Sequence, residues 1–219
     1  PEVLRFLHDR NIRGYVALNT LVLPGELPRA AELLAAAARA GADAVIVQDL
    51  GLARLARRLA PSLPVHASTQ MSLTEPGGIA LARKLGLRRA ILARELSVAE
   101  IARVAEATDL ALEVFVHGAL CVSFSGQCLA SLALGGRSGN RGVCAQACRL
   151  PYRLVVDGGA PRSASGGPHI LSPRDLAAHD RLADLLRAGV VGFKIEGRRK
   201  GPAYVAAATR AYREARDAA

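Results

Sequence analysis

The chain has 219 residues, of which 51% are hydrophobic and 22% are charged, and this composition excludes a disordered polypeptide and favours one domain with a sizeable core. Lysines and arginines number 29 against 19 acidic residues, a net charge of +10, which is compatible with a polyanionic partner such as RNA or with an arginine-rich composition alone. We find neither a signal-peptide pattern nor an apolar run of ~18 residues, and we therefore expect a cytoplasmic protein that does not enter a membrane.

Strands and helices alternate along the first half of the chain. Residues 2–11 have the pattern of the end of a helix, and the apolar run at 14–22 predicts a buried strand. Further strands are predicted at 42–49, 64–70, 89–97 and 112–118, and helices at 24–40, 52–59, 78–85 and 98–107. Continuously apolar strands separated by amphipathic helices are typical of a parallel sheet with both faces covered.

The second half departs from this alternation before returning to it. Residues 118–150 hold glycines, polar residues and all four cysteines, so we predict a long functional loop there. Residues 152–159 and 169–172 are expected to pair as a hairpin. A helix at 177–188, a strand at 190–198 and a helix at 203–217 then complete the chain.

Polar residues lie at the C-terminal ends of nearly all the predicted strands. This distribution is typical of a (β/α)8 TIM barrel, whose site is built from many strand ends on one face. No G-x-G-x-x-G follows a strand, which counts against a dinucleotide fold. We count six of the eight strand–helix units and expect the other two to precede Pro1. The prediction is one N-terminally incomplete barrel domain over 1–219, with a cysteine-rich cluster-binding insertion at 118–150.

The strand ends supply the candidate substrate-binding residues. They are Asn19, Gln48, His66, Gln70, Arg94 and Lys194, although some strand-end residues only cap the following helix. Arg137 and Arg141, within the glycine-rich GGRSGNRG, are further candidates, because a flexible basic loop can bind a phosphate backbone. The alternative is a loop that only folds around a metal site.

Four charged or titratable residues are the catalytic candidates, namely Glu113, His117, Glu196 and Arg198. Glu113 and His117 lie on one strand, four residues apart, so both are predicted to face the barrel interior, where they would act as acid and base or as a hydrogen-bonded pair. Lys194, Glu196 and Arg198 alternate on the last strand and are predicted to point the same way. That row would bind an anionic substrate, or it would form an internal ion pair.

The cysteines Cys121, Cys128, Cys144 and Cys148 follow the spacing C-x6-C-x15-C-x3-C. Because one segment after a barrel strand carries all four, they are expected to converge on one point and bind metal. The wide first pair favours an iron–sulfur cluster over a single zinc ion, which usually takes two close pairs. Buried inert thiols and a catalytic cysteine beside His117 remain open at this point.

The segment FVHGALCVSFSGQCLASLALGGRSGNRGVCAQACRLPY, together with HASTQMSLT, LARELS, LSPRDL and FKIEGRRK, resembles the collagenase-like peptidase family, family U thirty-two. The sequences of the glycine-rich and CRLPY segments are most similar to those of the family branch that contains the ribosomal RNA cytidine hydroxylation protein. The resemblance implies an eight-stranded barrel and a [4Fe–4S] cluster held by the four cysteines. It also implies a protein longer than this chain, with further domains downstream.

Three functions follow from the residues and the resemblance. The first is an iron–sulfur protein that supports hydroxylation of an RNA base, either an rRNA cytidine or a tRNA wobble uridine, with RNA as its partner. The second is a hydrolase acting on peptides, as the family name states, although no Ser-His-Asp set and no H-E-x-x-H motif is present. The third is a binding module in which the cluster, or a zinc ion, is purely structural.

Overall fold

Six parallel strands form the centre of the protein, which we describe from a computed structural model covering residues 1–162, 167–198 and 200–219. They are β1 (Tyr15–Leu18), β2 (Ala44–Val47), β3 (Val65–Ala67), β4 (Arg89–Ile91), β5 (Ala111–Gly118) and β7 (Val190–Ile195). Each pairs with the next in that order, so the described strands form an open, curved half of a barrel. The predicted TIM-barrel type is confirmed, with β1 and β7 at the two edges.

Helices cover the outer face of the sheet. The helices are α1 (Glu2–His8), α2 (Leu27–Arg39), α3 (Leu50–Leu59), α4 (Pro76–Lys84), α5 (Val98–Glu106), α6 (Ala130–Gly135), α7 (Leu182–Arg187) and α8 (Pro202–Asp217). All except α6, which lies within the cysteine-bearing segment 118–150, belong to this outer layer. Local chemistry explains two of their starts. Asp49 accepts the Leu52 backbone N–H and caps α3, and Ser97 forms a capping box with Glu100 on α5.

The core lies between the sheet and these helices. All four residues of β2 are buried, as expected for a strand covered on both faces. In β5, Leu112, Val114 and Val116 pack in the core cluster that also contains helical residues such as Leu34 and Leu182. Each fully buried leucine contributes about 1.5–3 kcal/mol relative to an exposed one. Because strand side chains alternate, Glu113 and Phe115 point to the opposite face, which is the barrel interior.

The end of β5 is irregular. A bulge lies between Phe115 and His117, where two steps along β5 match one step along β7. Beyond it, the two-residue strand β6 (Leu176–Ala177) pairs antiparallel with His117 and Gly118. The last helix is tied to the same place, because the Tyr212 hydroxyl donates to the Val116 carbonyl at 2.6 Å. The end of β5, where the cysteine-bearing segment begins, is therefore bonded to β6, β7 and the last helix.

Two local predictions are wrong. Residues 169–172 do not pair with 152–159, since Leu154 instead forms an isolated antiparallel bridge with Arg162 across a turn in which Asp157 and Gly158 adopt positive φ. The predicted helix at 177–188 is reduced to α7, because Ala177 belongs to β6 and residues 179–181 form a 3-10 turn. Long-range pairing with β5 thus overrides helical periodicity there.

No helix in residues 1–162, 167–198 and 200–219 has both the length and the apolarity that crossing a bilayer requires.

Gly118 closes β5 with φ of +97°, and a Cβ on this residue would lie 2.3 Å from the Glu196 carbonyl oxygen. Gly118→Ala is therefore expected to lower the free energy of unfolding by more than the ~1 kcal/mol typical of a positive-φ site alone. Gly136 is the matched control, because its φ of +66° is comparable and nothing lies within 4 Å of its added Cβ. Urea unfolding that showed equal losses for both alanine variants would contradict the predicted clash.

Candidate functional site

Residues 118–150, which we call the cysteine loop, lie across the C-terminal ends of the strands and are held there by Ser125. This serine is fully buried; its backbone N–H and hydroxyl both donate to Glu95 Oε1, at 2.8 and 3.1 Å. Its hydroxyl also accepts the Arg94 backbone N–H, and its carbonyl accepts the Ser72 hydroxyl. The loop is thereby fixed to the segments that follow β3 and β4.

A second anchor joins the cysteine loop to the segment between β1 and α2. The Leu21 backbone N–H donates to the Asn140 carbonyl at 3.2 Å. The Arg141 guanidinium donates to both Glu26 carboxylate oxygens, at 2.7 and 2.5 Å, and to the Leu21 carbonyl at 2.9 Å. The hydrogen bond from Arg141, followed by that from the Leu23 backbone, lowers the Glu26 pKa to about 2.

Arg149 forms the third anchor. Its guanidinium donates to the Leu120 carbonyl at 2.7 Å, to the Ser172 hydroxyl at 2.6 Å and to the Pro173 carbonyl at 2.7 Å. One side chain therefore joins the residue before Cys121 to the residue after Cys148. The rigid, planar donor fork of arginine suits this triple contact.

The four cysteines are free thiols on this loop, three of them half-buried and Cys144 exposed. The pKa of Cys148 is raised, chiefly by burial and further by the charges of Cys121, Cys144 and Cys128, whereas Arg149 lowers it. The other three thiols thus lie within electrostatic reach of Cys148. No group of three or more His, Cys, Asp or Glu side chains in the described residues is arranged to hold a metal ion. The predicted convergence of all four thiols on one metal therefore stays a prediction.

The strand-end amides at the mouth form a network instead of lying free. Gln70 Nε2 donates to the Asn19 carbonyl at 3.1 Å, and Asn19 Nδ2 lies 3.5 Å from the Ser68 hydroxyl. With its amide nitrogen facing two carbonyls, Gln48 donates to Asn19 at 3.2 Å and to Asn140 at 3.1 Å. These predicted substrate-binding residues therefore also support the cysteine loop.

Charged side chains fill the barrel interior below the mouth. Glu113 accepts from Arg89 Nη1 at 2.9 Å and lies 3.9 Å from Lys194 Nζ. Burial is the main reason that the pKa of Lys194 is lowered, against the opposing charges of Glu113 and Glu196. Arg89 was not expected from the sequence, although a charged residue that opens an apolar barrel strand was the available signal.

His66 borders this interior group. It is 5% exposed, its ring packs edge-on against Tyr15 with centroids 5.0 Å apart, and its Nδ1 has no hydrogen-bond partner in the described part of the chain. Burial, followed by the positive charge of Arg89, lowers its pKa to about 4, with Glu113 opposing and Lys194 adding to the shift. His66 is therefore a neutral imidazole at pH 7.

The prediction that His117 faces the interior beside Glu113 is wrong. The Tyr204 hydroxyl lies 2.9 Å from His117 Nε2, and the Tyr212 hydroxyl lies 3.4 Å from Nδ1. Both ring nitrogens therefore contact tyrosines of α8. The bulge after Phe115 reverses the alternation on which the prediction rested. His117 and Glu113 belong to separate networks, and neither α8 tyrosine was identified from the sequence.

The predicted row of Lys194, Glu196 and Arg198 is also broken. Only Lys194 lies within β7, which ends at Ile195. Beyond that end, the Glu196 carboxylate accepts the Arg198 backbone N–H at 3.1 Å, and the Arg198 residue is exposed. Arg199 of the FKIEGRRK motif lies outside the described residues.

The two loop arginines predicted to bind phosphate have structural partners. Arg141 donates hydrogen bonds to the Glu26 carboxylate, and Arg137 Nε donates to the Val143 carbonyl at 3.2 Å. The stabilising roles of Ser125 and Arg149 were missed. Arg149 adjoins a cysteine within the quoted CRLPY segment, which was the one available signal, whereas nothing in the sequence distinguishes Ser125 from the other loop serines.

Comparison with known proteins decides the family. The whole chain, residues 1–219, matches the profile of Peptidase family U32. The chain belongs to this family. A U32 peptidase of known structure superposes on 91% of the chain and 76% of its own length with a TM-score of 0.55 at 14% identity, which supports the fold.

The U32 relatives include RNA-modifying proteins. The chain is 42% identical over 99% of its length to the 23S rRNA 5-hydroxycytidine C2501 synthase of Escherichia coli, covering 32% of that protein. It is 40% identical over 99% to an uncharacterized protease of Methanocaldococcus jannaschii, covering 54%. It is 35% identical over 99% to tRNA hydroxylation protein P1 of Bacillus subtilis, covering 52%. The chain thus spans between a third and about half of these U32 proteins.

Replacing Glu26 with glutamine is expected to loosen the cysteine loop. In the U32 chain Glu26 has a lowered pKa, so its contribution to stability is complete above the ordinary value of 4.5 and is lost as the pH falls toward about 2. The Leu21 amide should lose protection from exchange in Glu26→Gln at pH 7, and the wild-type amide should lose protection, measured relative to the intrinsic exchange rate at each pH, on acidification. Glu32→Gln is the matched control, because Glu32 forms an exposed ion pair with Arg29 on the same helix, away from the cysteine loop. Unchanged exchange at Leu21 would contradict the anchor.

His66 is expected to titrate near pH 4 in an NMR experiment, well below its ordinary pKa of 6.5. Because the folded-state pKa is lowered, stability should fall as the pH drops from about 6.5 to about 4 and level off below that. Lys194→Met removes a positive charge beside the ring and should move the midpoint upward. A midpoint close to 6.5 in the wild-type protein would show that His66 is neither desolvated nor near those charges.

Proposed function

We propose that this U32 chain is the iron–sulfur domain of a protein that hydroxylates an RNA base. The observation that carries the proposal is the presence of four free thiols on one loop at the C-terminal mouth of the barrel, where TIM-barrel proteins place their chemistry. Two U32 relatives bear names that state hydroxylation of rRNA or tRNA. An rRNA cytidine and a tRNA wobble uridine are the corresponding candidate substrates.

The donor set fits a [4Fe–4S] cluster. Cys121, Cys128, Cys144 and Cys148 would hold it, and the cluster would supply one-electron chemistry. The Gln146 backbone N–H already donates to Cys144 Sγ at 3.3 Å, and hydrogen bonds of this kind to cluster sulfurs tune the reduction potential. Arg149 places a positive charge next to Cys148, which opposes part of the rise in the Cys148 pKa that burial causes.

The remaining mouth residues would position the RNA. The net charge of +10 favours phosphate binding, and Arg198 lies exposed beyond the end of β7. The Asn19, Gln48 and Gln70 network keeps the cysteine loop in place while the base enters. Glu113 and Lys194 lie deeper, inside the barrel, where they would act on a group that has passed the mouth.

Hydrolysis of peptides, the alternative given by the family name, lacks a supporting arrangement. In residues 1–162, 167–198 and 200–219, no histidine ring hydrogen-bonds to a serine, threonine or cysteine, and His117 is held by tyrosines. The nucleophile–base pair that defines such catalysis is therefore missing from the described residues.

Metal analysis tests the cluster. The complete protein, purified without oxygen, is expected to contain about four iron and four sulfide per chain, the stoichiometry of one [4Fe–4S] cluster. Changing any of the four cysteines to serine should remove most of the iron, whereas Ser123→Ala, on the same loop, should retain it. A colourless protein with stoichiometric zinc would refute the cluster and leave a structural zinc site.

RNA analysis tests the substrate. Mass spectrometry of rRNA and tRNA from a deletion strain is expected to show loss of one hydroxylated base, restored by the wild-type protein and by Ser123→Ala but not by Cys148→Ser. An unchanged modification profile would contradict the RNA role, whatever the metal content of the protein.

A further inference from the structure

The barrel interior contains more positive than negative charge. Three cations, Arg89, Arg94 and Lys194, lie there with the buried carboxylate of Glu113, while Glu196 acts on Lys194 from beyond the end of β7. The Glu113 carboxylate lies 2.9 Å from Arg89 Nη1 and 3.9 Å from Lys194 Nζ. It therefore hydrogen-bonds to Arg89 and not to Lys194. A buried cation without a close counterion is costly, because desolvation is not offset.

Of these three cations, Lys194 and Arg94 have the fewest partners for their positive charge. Neither side chain donates a hydrogen bond to any described residue, and Arg94 Nε is buried without a partner. Among the described residues, Arg94 Nε is the donor of these two side chains that is both buried and without a partner, and a buried donor normally has an acceptor. The Lys194 side chain is 30% exposed. An acceptor other than the described protein groups would therefore be bound strongly at this place.

Phe115 lies between the two cations. Lys194 Nζ is 5.3 Å and Arg94 Cζ 5.7 Å from the centre of its ring, and they approach from opposite edges of β5, since Lys194 is on β7 and Arg94 follows β4. His66 belongs to the same group, because the charges of Arg89, Glu113 and Lys194 all act on it. The cations, the ring and the unpartnered imidazole nitrogen thus surround one interior region below the cysteine loop.

We propose that Lys194 and Arg94, on either side of Phe115, bind the carboxylate or phosphate group of an anion inside the barrel. Arginine recognises both groups through parallel N–H donors, and lysine adds a point charge. The anion is a free small molecule or a phosphate of the RNA itself, and both present the same oxygen acceptors. The site is separate from the four thiols and goes beyond the proposed function.

Calorimetric titration of the complete protein with inorganic phosphate and with acetate, in a buffer low in other anions, tests the site. Binding is expected to weaken at least about tenfold in Lys194→Met and in Arg94→Gln, because charge-assisted hydrogen bonds are lost. The matched controls are Lys84→Met and Arg54→Gln, exposed cations on α4 and α3, which should bind as the wild type does. Equal binding by all five proteins, or no binding to the wild type, would overturn the proposal.

Thermal unfolding separates anion binding from loss of folding. In anion-poor buffer the Tm of Lys194→Met is expected to equal or exceed that of the wild type, because a partly buried cation that shares Glu113 with Arg89 has been removed and Arg89 still pairs with that carboxylate. Phosphate should raise the wild-type Tm and leave that of Lys194→Met unchanged. A variant Tm several degrees lower, with no effect of phosphate on either protein, would show that Lys194 serves only as a partner of Glu113.

A single-stranded RNA oligonucleotide without a terminal phosphate distinguishes the two sources of the anion. If it displaces inorganic phosphate from the wild type, and Lys194→Met weakens its binding, the bound group is an RNA phosphate. If RNA and phosphate bind together, the anion is a small molecule. Either result supports the site, and its failure would leave the iron, sulfide and RNA tests of the proposed function unaffected.

Discussion

The arrangement of the mouth depends on the burial of one small polar residue, Ser125. The cysteine loop has little regular structure of its own apart from α6, so its backbone polar groups must find partners elsewhere. Ser125 provides them by directing its N–H and hydroxyl to Glu95 and its carbonyl to Ser72. Close approach of the next residue is also required, because a Cβ on Gly126 would lie 2.1 Å from the Gln70 carbonyl oxygen. Once this contact forms, the thiols on either side of it are confined to one face of the barrel.

Electrostatics divide the site into two regions of different character. At the mouth, charges are paired across loops, as Arg141 is with Glu26, and these pairs determine where backbone segments lie. In the interior, one carboxylate is shared by two cations, and a neutral histidine lies beside them. Interiors of TIM barrels are normally filled by branched apolar side chains. Charged side chains in the interior lower the stability of the fold. Such residues are expected where a protein binds or transforms a ligand.

The sequence predicted the fold well because the signals for it are periodic and repeated. Apolar runs such as 44–47, followed by amphipathic helices, identified the six parallel strands that the described residues form. Side-chain direction was predictable only where alternation continues, as it does for Glu113 and Lys194. It failed at His117, since one extra residue in β5 reverses every side chain beyond it and nothing in the local sequence marks the bulge. Partners far apart along the chain, such as Glu26 with Arg141, carry no periodic signal at all.

The three anchors of the cysteine loop differ greatly in the length of chain that they close. Arg149 reaches back 29 residues to Leu120, and Ser125 reaches 30 to Glu95, whereas Arg141 reaches 120 to Leu21. Loop-closure entropy grows with separation, and long-range contacts tend to form late in folding. The contacts of Arg149 and Ser125, which close shorter lengths of chain, should accordingly bring the thiols together early. The contact of Arg141 should form only when β1 joins the sheet. Such an order of assembly leaves an interval in which the partly folded chain presents its cysteines to solvent, and this interval is when a metal group would enter with the fewest obstacles.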